Sequence, residues 1–263
     1  MKYALITGAT SGIGLEYTRQ LAKQGWNIIL VSNQVKENWL LMEDIYAEYG
    51  VETIPLTVDL SEEDSAQWVY ERCQQMNVEV EILISNAGIL HFGNLINAKA
   101  DMIDRIITLH CTTPAKLCNL FAVDMWRRRS GHILLMSSMS AWIPYPTMSL
   151  YGSTKVFLKN FGQSLWYELR RYGVSVTTVL PGAVDTPLYK LDDKKRKLLR
   201  SIGVMTSAQT LARNALQAMF RRKRQYIPGF LTKVEVLLCR LLPAHGLLPV
   251  LKIPAVKRIL DRV

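Results

Sequence analysis

The sequence predicts an α/β fold: one doubly wound parallel sheet of about seven strands, with helices on both faces and a helical C-terminal extension. Three observations carry this expectation. Short β-branched runs alternate with amphipathic helical stretches, the pattern of βαβ units. Most of the strand-like runs lack a polar face, as strands buried on both sides do. And the 263 residues, 49% of them apolar and 21% charged, suit one large domain with a full core.

In order along the chain, the strands are expected at Tyr3–Thr7, Asn27–Val31, Thr53–Thr57, Glu81–Ser85, His132–Ser137 and Val174–Leu180. A seventh is expected at Tyr226, stopped by Pro228-Gly229. Helical periodicity falls at Ile13–Gln24, Lys36–Tyr49, Glu62–Gln75, Ala98–Arg128, Ser149–Tyr172 and Ser207–Arg222, with a break expected before Pro114. Ser61 or Asp64 and Ser207 are candidate N-caps, and Gly25, Gly50 and Gly173 stand where a left-handed C-cap is needed. Residues 1–229 form the expected domain. Residues 230–263 are Leu-rich with spaced cations and read as two short amphipathic helices around a Pro243–Pro249 loop.

The four cysteines, Cys73, Cys111, Cys118 and Cys239, are scattered without a CxxC pair and read as reduced packing residues, with no metal site. The N-terminal apolar run is too short for a secretory h-region, and Arg240, Pro243, Pro249 and Lys252 interrupt the one apolar stretch that approaches spanning length. A cytoplasmic chain, or one attached to a membrane surface, is expected. The formal charge of +10 is uneven: residues 1–189 carry 15 Lys/Arg against 18 Asp/Glu, and residues 190–263 carry 17 against 4. This asymmetry points to an anionic partner. Nucleic acid is not expected, because no recognised module or aromatic-interleaved groove accompanies the charge.

Gly8-Ala-Thr-Ser-Gly12-Ile-Gly14 joins the first strand to the first helix. Positions without side chains let the backbone turn sharply and approach a pyrophosphate, whose charge meets free N–H groups at the helix N-terminus. This is a Rossmann-type arrangement, and the segment from Thr7 to Gly14 resembles the cofactor motif of the short-chain dehydrogenase/reductase family. Four further stations resemble that family in order and spacing, over roughly residues 2–228. They are Asp59-Leu60, Asn86-Ala87-Gly88, Ser138 with Tyr151-Gly-Ser-Thr-Lys155, and Pro181-Gly182-Ala-Val184-Asp-Thr186.

The resemblance implies a hydride transfer between a nicotinamide dinucleotide and a carbonyl/alcohol pair. It implies cofactor contacts at Gly8, Thr10, Ser11, Gly12, Ile13, Gly14, Asp59, Leu60, Asn86, Ala87, Gly88, Pro181, Gly182, Val184 and Thr186, with Lys155 on the nicotinamide ribose. Tyr151 and Lys155, four apart on a helix, share a face, and an adjacent ammonium favours the phenolate, so Tyr151 is the expected proton donor. Ser138 would hydrogen-bond the substrate oxygen. Most relatives place an Asn that holds a relay water where this sequence has His110; an imidazole relay and a buried structural histidine are both open. His91 is a candidate substrate contact and His132 a structural residue.

At the end of the second strand, Ser32, Asn33 and Lys36 stand where an NAD-selecting carboxylate would be, so NADP(H) is expected over NAD(H), although the Arg that NADP-binding relatives often carry near Asn33 is absent. Trp142–Pro146 form an apolar wall, and Leu188 to Met205 falls where the family places its substrate lid, here with Lys194–Lys197. A lipophilic ketone is the expected substrate, free or acyl-linked, resembling 3-oxoacyl, 3-ketosphinganine and steroid substrates of the family. The resemblance also implies a dimer or tetramer. In the tail, Leu231, Val234, Leu237, Leu238, Leu241 and Leu242 make an apolar stripe beside Lys233 and Arg240, which suits either packing over the substrate pocket or against a partner subunit, or contact with an anionic membrane. The alternative is a non-catalytic dinucleotide-binding scaffold on the same fold.

Overall fold

The computed structural model describes residues 2–142, 145–186, 197 and 205–241. Seven parallel strands form the main sheet in the order β3-β2-β1-β4-β5-β6-β9. They are β1 (Lys2–Thr7), β2 (Asn27–Ser32), β3 (Thr53–Thr57), β4 (Glu79–Ser85), β5 (Gly131–Met136), β6 (Val174–Val179) and β9 (Gln225–Tyr226). Each connection crosses back through helix, which is what parallel pairing requires. The helices are α1 (Gly12–Ala22), α2 (Val35–Tyr49), α3 (Ser65–Gln75), α4 (Ala100–Ile107), α5 (Thr113–Arg128), α6 (Ser149–Leu169), α7 (Ala208–Phe220) and α8 (Phe230–Leu241).

Alternate strand residues feed two cores. Ala4, Ile6, Ile28, Leu30, Ile82, Ile84 and Leu134 pack with Tyr17 and Leu21 of α1, Leu41 and Ile45 of α2, and Leu211 to Met219 of α7. Tyr3, Leu5, Ile29, Val31, Leu83, Ile133 and Leu135 point the other way, onto Val69 and Cys73 of α3, and Leu117, Cys118 and Phe121 of α5. Both faces are covered, which is why the strands read as unbroken apolar runs. Gly25, Gly50 and Gly173 sit at φ of +82°, +67° and +79°, in the left-handed region expected for them. The Ser207 hydroxyl accepts the Thr210 N–H and caps α7, whereas α3 begins at Ser65 without a side-chain cap.

Two features differ from the sequence expectation. The helix does not break before Pro114. Pro114 has no N–H to offer the His110 carbonyl and its ring crowds that group. The chain accommodates this with a π turn over Thr108–Thr112, so α4 and α5 run on as one helical rod and His110 turns inward, fully buried. That rod, Ala100–Arg128, is long and apolar enough to cross a membrane by length and composition, but half of its most apolar window is buried against the domain. The second feature is a small parallel pair, β7 (Ala183–Asp185) with β8 (Met205–Ser207), which the sequence reading did not anticipate. Of the expected tail helices, α8 is present; the region from 242 onward, with the second of them, lies outside the described residues.

Candidate active site

The strand order reverses direction at β1 and β4, and a crevice opens there beyond the strands' C-terminal ends, where a doubly wound sheet takes its ligand. Asn86 holds the two sides of that crevice together. Its N–H and the Ala87 N–H both reach Thr7 Oγ1 at 2.9 Å, and its side-chain Nδ2 donates to the Thr7 carbonyl at 3.0 Å.

The glycine turn closes over this anchor. Gly8 and Gly12 adopt φ of +65° and +54°. A Cβ on Gly14 would lie 1.9 Å from the Gly8 carbonyl oxygen, so the turn can pack against the first turn of α1 only with glycine at that position. The first bond of this helix end runs from Leu15 N–H to Ser11 O, and the Ser11 side chain makes no cap. The preceding N–H groups of Gly12, Ile13 and Gly14 are thereby available to an anion.

One cavity of about 260 Å³ runs from this turn toward the end of β2. It is lined by Gly8, Thr10, Ser11, Ser32, Asn33, Gln34, Asp59, Leu60, Ala87, Gly88 and, from α4, Arg105. Thr10 Oγ1 lies 3.0 Å from Ser32 Oγ and donates to Gln34 Oε1 at 2.6 Å. Burial alone would raise the Asp59 carboxyl, but hydrogen bonds from Ser61, the Arg105 guanidinium 3.1 Å away and the Asn33 side chain hold it below the usual carboxylate range. Arg105 and Gln34 were missed from sequence. Neither belongs to a motif, and Arg105 arrives from an element 46 residues beyond Asp59. Lys36 is exposed and does not line this cavity.

A second cavity, about 90 Å³, adjoins it at Gly88 and Ile89. Ile13, Asn86, Gly88, Ser138, Tyr151, Lys155, Pro181, Gly182, Val184 and Thr186 line it. The structure therefore brings together residues from five separate stretches of sequence. Ser138 begins a 3-10 turn after β5, and its Oγ accepts the Ser140 N–H at 3.1 Å. Lys155 is buried in α6, donates from Nζ to the Met136 carbonyl at 3.1 Å, and lies 5.4 Å from the centre of the Tyr151 ring. Burial pulls the Lys155 ammonium down to about 8.

His110 stands behind this cavity. Its Nε2 accepts the Ile89 N–H at 3.0 Å, so the proton belongs on Nδ1, which lies 2.9 Å from Thr154 Oγ1. The Thr154 hydroxyl in turn donates to the Tyr151 carbonyl at 2.8 Å. Burial, helped by the Lys155 charge, pushes the imidazole down to about 2, and its ring meets the Tyr151 ring edge-on at 5.7 Å. His91 lines neither cavity. His132 bonds Ser175 Oγ at 2.9 Å at the far end of β5 and packs edge-on against Phe220.

Beside the site, Trp142, Tyr145, Pro146, Met148 and Val156 help to line a third, largely apolar cavity of about 510 Å³. Ile143 and Pro144, and Leu188, Tyr189 and the Lys194–Arg196 run of the expected lid, lie outside the described residues.

Comparison with known proteins agrees with this architecture. A short-chain dehydrogenase from Sphingobium yanoikuyae, solved in complex with NADPH, is 28% identical, with a TM-score of 0.80 covering 95% of this chain and 96% of that one. The bulky-bulky ketone specific alcohol dehydrogenase from Comamonas testosteroni is 27% identical, with a TM-score of 0.79 over 95% and 94% of the two chains. Among sequences, the very-long-chain 3-oxoacyl-CoA reductase of Aspergillus clavatus is 31% identical over 192 residues, 72% of this chain but 55% of that protein's length. The chain spans between 54% and 63% of the length of the very-long-chain 3-oxoacyl-CoA reductases it matches. The family described as short chain dehydrogenase matches residues 2–197, and the chain belongs to it.

Proposed function

We propose that this protein reduces a ketone on a bulky, lipophilic molecule, with NADPH as hydride donor. The observation that carries the reading is one cavity in which Ser138, Tyr151 and Lys155 face the Pro181–Thr186 segment and the Asn86–Gly88 turn. A nicotinamide dinucleotide fits the residues present: glycines whose Cβ would fill the turn, a helix end with free N–H groups, and a cavity reaching the end of β2. When bound, it supplies the hydride that goes to the carbonyl carbon.

The protein's own residues do the rest. Tyr151 gives its phenolic proton to the carbonyl oxygen, and the Lys155 ammonium beside it stabilises the phenolate left behind. Ser138 holds the carbonyl oxygen while charge develops there. At the other end, Thr10, Ser32, Asn33 and Gln34 present neutral polar groups where an acid would select NAD, and Arg105, paired with Asp59, brings a guanidinium to the same cavity. The cavity at Trp142 and Tyr145 supports an apolar substrate body. A non-catalytic scaffold is not favoured, because it has no use for Ser138, Tyr151 and Lys155 in one cavity.

His110 acts as a strut in this reading, in place of a water relay. Both ring nitrogens are engaged, and they tie the Ile89 backbone on the dinucleotide side to Thr154 and through it to the Tyr151 carbonyl. His110→Phe keeps the ring and removes both bonds. It should lower kcat about ten- to a hundredfold through misplacement of Tyr151, with the KM for NADPH little changed. Adding Thr154→Val should then cost little more, because the two residues work as one unit; additive losses in a double-mutant cycle would refute the strut. The unfolded imidazole takes a proton below pH about 6.5 that the folded one refuses. Wild-type stability should therefore fall with pH below that point more steeply than that of His110→Phe.

The direct test is NADPH oxidation across 3-oxoacyl thioesters of increasing chain length, steroid ketones and small hydrophilic ketones. Higher kcat/KM for long or bulky substrates is expected. A preference for small hydrophilic ketones, or faster initial rates with NADH, would overturn the corresponding part of the proposal.

A further inference from the structure

In a parallel sheet every strand begins at the same end, so every helix-to-strand turn lands there too. In this chain three of those turns are strongly basic, and they belong to neighbouring strands β5, β6 and β9. Arg127-Arg-Arg129 closes α5, Arg170-Arg171 closes α6, and Arg221-Arg-Lys-Arg224 follows α7. The sequence shows three separate runs up to 97 positions apart; the topology sets them side by side, on the end of the sheet opposite the active-site crevice.

Side-chain contacts show that the patch is continuous. The Arg129 guanidinium lies 5.9 Å from the Tyr172 ring, and Trp126 meets the same ring edge-on at 5.9 Å, joining the first turn to the second. Arg224 lies 5.8 Å from Trp166 and 5.4 Å from Tyr167 and donates to the Tyr167 hydroxyl, joining the second to the third. Arg127 pairs with Asp124, and Arg128 with Glu79 and Glu81. Among the described residues, the other seven cations form no ion pair, although Glu168 stands in the same stretch. The β3 edge of the same sheet end, by contrast, carries Glu48 and Glu52.

One or two cations per helix C-terminus would satisfy the helix dipoles. The seven cations left without an ion pair in these three touching turns repel one another, and that concentration calls for a polyanionic partner. We propose that this end of the sheet docks on an anionic phospholipid surface. Exposed Trp126 and Tyr167 stand among the guanidinium groups, and mixed aromatic and cationic side chains suit the headgroup zone. A nucleic-acid strand fits less well, since bound bases need bare ring faces, and the rings of Trp166, Tyr167 and Tyr172 are each paired with guanidinium groups. Docked in this way, the protein would hold its active-site crevice away from the bilayer.

The test is co-sedimentation of the full chain with phosphatidylcholine vesicles, with and without phosphatidylserine. The comparison is a variant carrying Arg129→Gln, Arg170→Gln, Arg221→Gln and Lys223→Gln, all exposed positions outside the catalytic cavity. Wild type should bind only the anionic vesicles and release them as salt rises. Each cation removed should weaken partitioning roughly fivefold, so the variant should lose on the order of several hundredfold, with NADPH oxidation in solution unchanged. Three results would each overturn the proposal. They are no binding of wild type to anionic vesicles at low salt, undiminished binding of the variant (which would assign the contact to the tail), and capture of an oligonucleotide but not of vesicles.

Discussion

Tyr151→Phe should lower turnover by about 10²–10⁴-fold, the usual worth of a positioned general acid, while leaving NADPH affinity nearly unchanged. The substitution removes one hydroxyl and keeps the ring, whose edge-on contact with His110 at 5.7 Å and position near Lys155 are set by shape. Of the proposed dinucleotide contacts, Gly8, Thr10, Ser11, Ser32, Asn33, Asp59 and Leu60 line the cavity beyond Gly88 that Tyr151 does not reach. The lost rate is therefore chemical. Stopped-flow measurement of NADPH oxidation, with fluorescence titration of NADPH in parallel, separates the two quantities. A variant that keeps more than about a tenth of the wild-type rate would remove Tyr151 from the proton-donor role.

Gly14→Ala should abolish dinucleotide binding and destabilise the fold by about 3 kcal/mol or more, at the upper end of overpacking costs. The added methyl would lie 1.9 Å from the Gly8 carbonyl oxygen, 2.8 Å from the Gly8 carbonyl carbon and 2.7 Å from Asn86 Nδ2. Relief by movement is blocked on both sides. The Gly8 N–H is bonded to the Val31 carbonyl at 2.8 Å, and Asn86 is tied to Thr7 by two bonds. Any retreat of the turn breaks the junction between β1, β2 and β4 that shapes the crevice. Denaturant midpoints and NADPH titration check both effects; a wild-type midpoint with wild-type affinity would mean that the turn is far softer than its bonding implies.

Gly14 and Tyr151 could be singled out from sequence because each belongs to a local pattern: a turn between strand and helix, and a pair four apart on one helix face. Local geometry depends on neighbouring residues, so spacing is enough to read it. The same holds for the strand runs buried on both faces and for the left-handed glycines at 25, 50 and 173. Strand ends shifted by a residue or two, and α3 began three residues late. Capping and fraying decide such boundaries, and they depend on tertiary contacts.

Arg105 shows the other side. It stands on an exposed face of α4 with no motif around it, and it reaches the cavity at the end of β2 only because α4 packs beside the β3–α3 connection that carries Asp59. The β7–β8 pair was equally illegible, since three-residue strands have no period to detect and their partners come from opposite sides of a long connection.

The alternation of strands and helices, the glycine turn, the candidate set of Ser138, Tyr151 and Lys155, and the lack of an acid at the end of β2 could all be read from residue order. All of these are properties of residue type and short-range spacing. The state of His110 and the grouping of the basic runs emerge from the folded arrangement instead. The imidazole is neutral because folding buries it between Ile89 and Thr154, 21 residues before it and 44 after it. The three arginine-rich turns became one surface because parallel strands all start at the same end. Both outcomes depend on which distant segments are brought together, and that is fixed by the packing of the whole sheet.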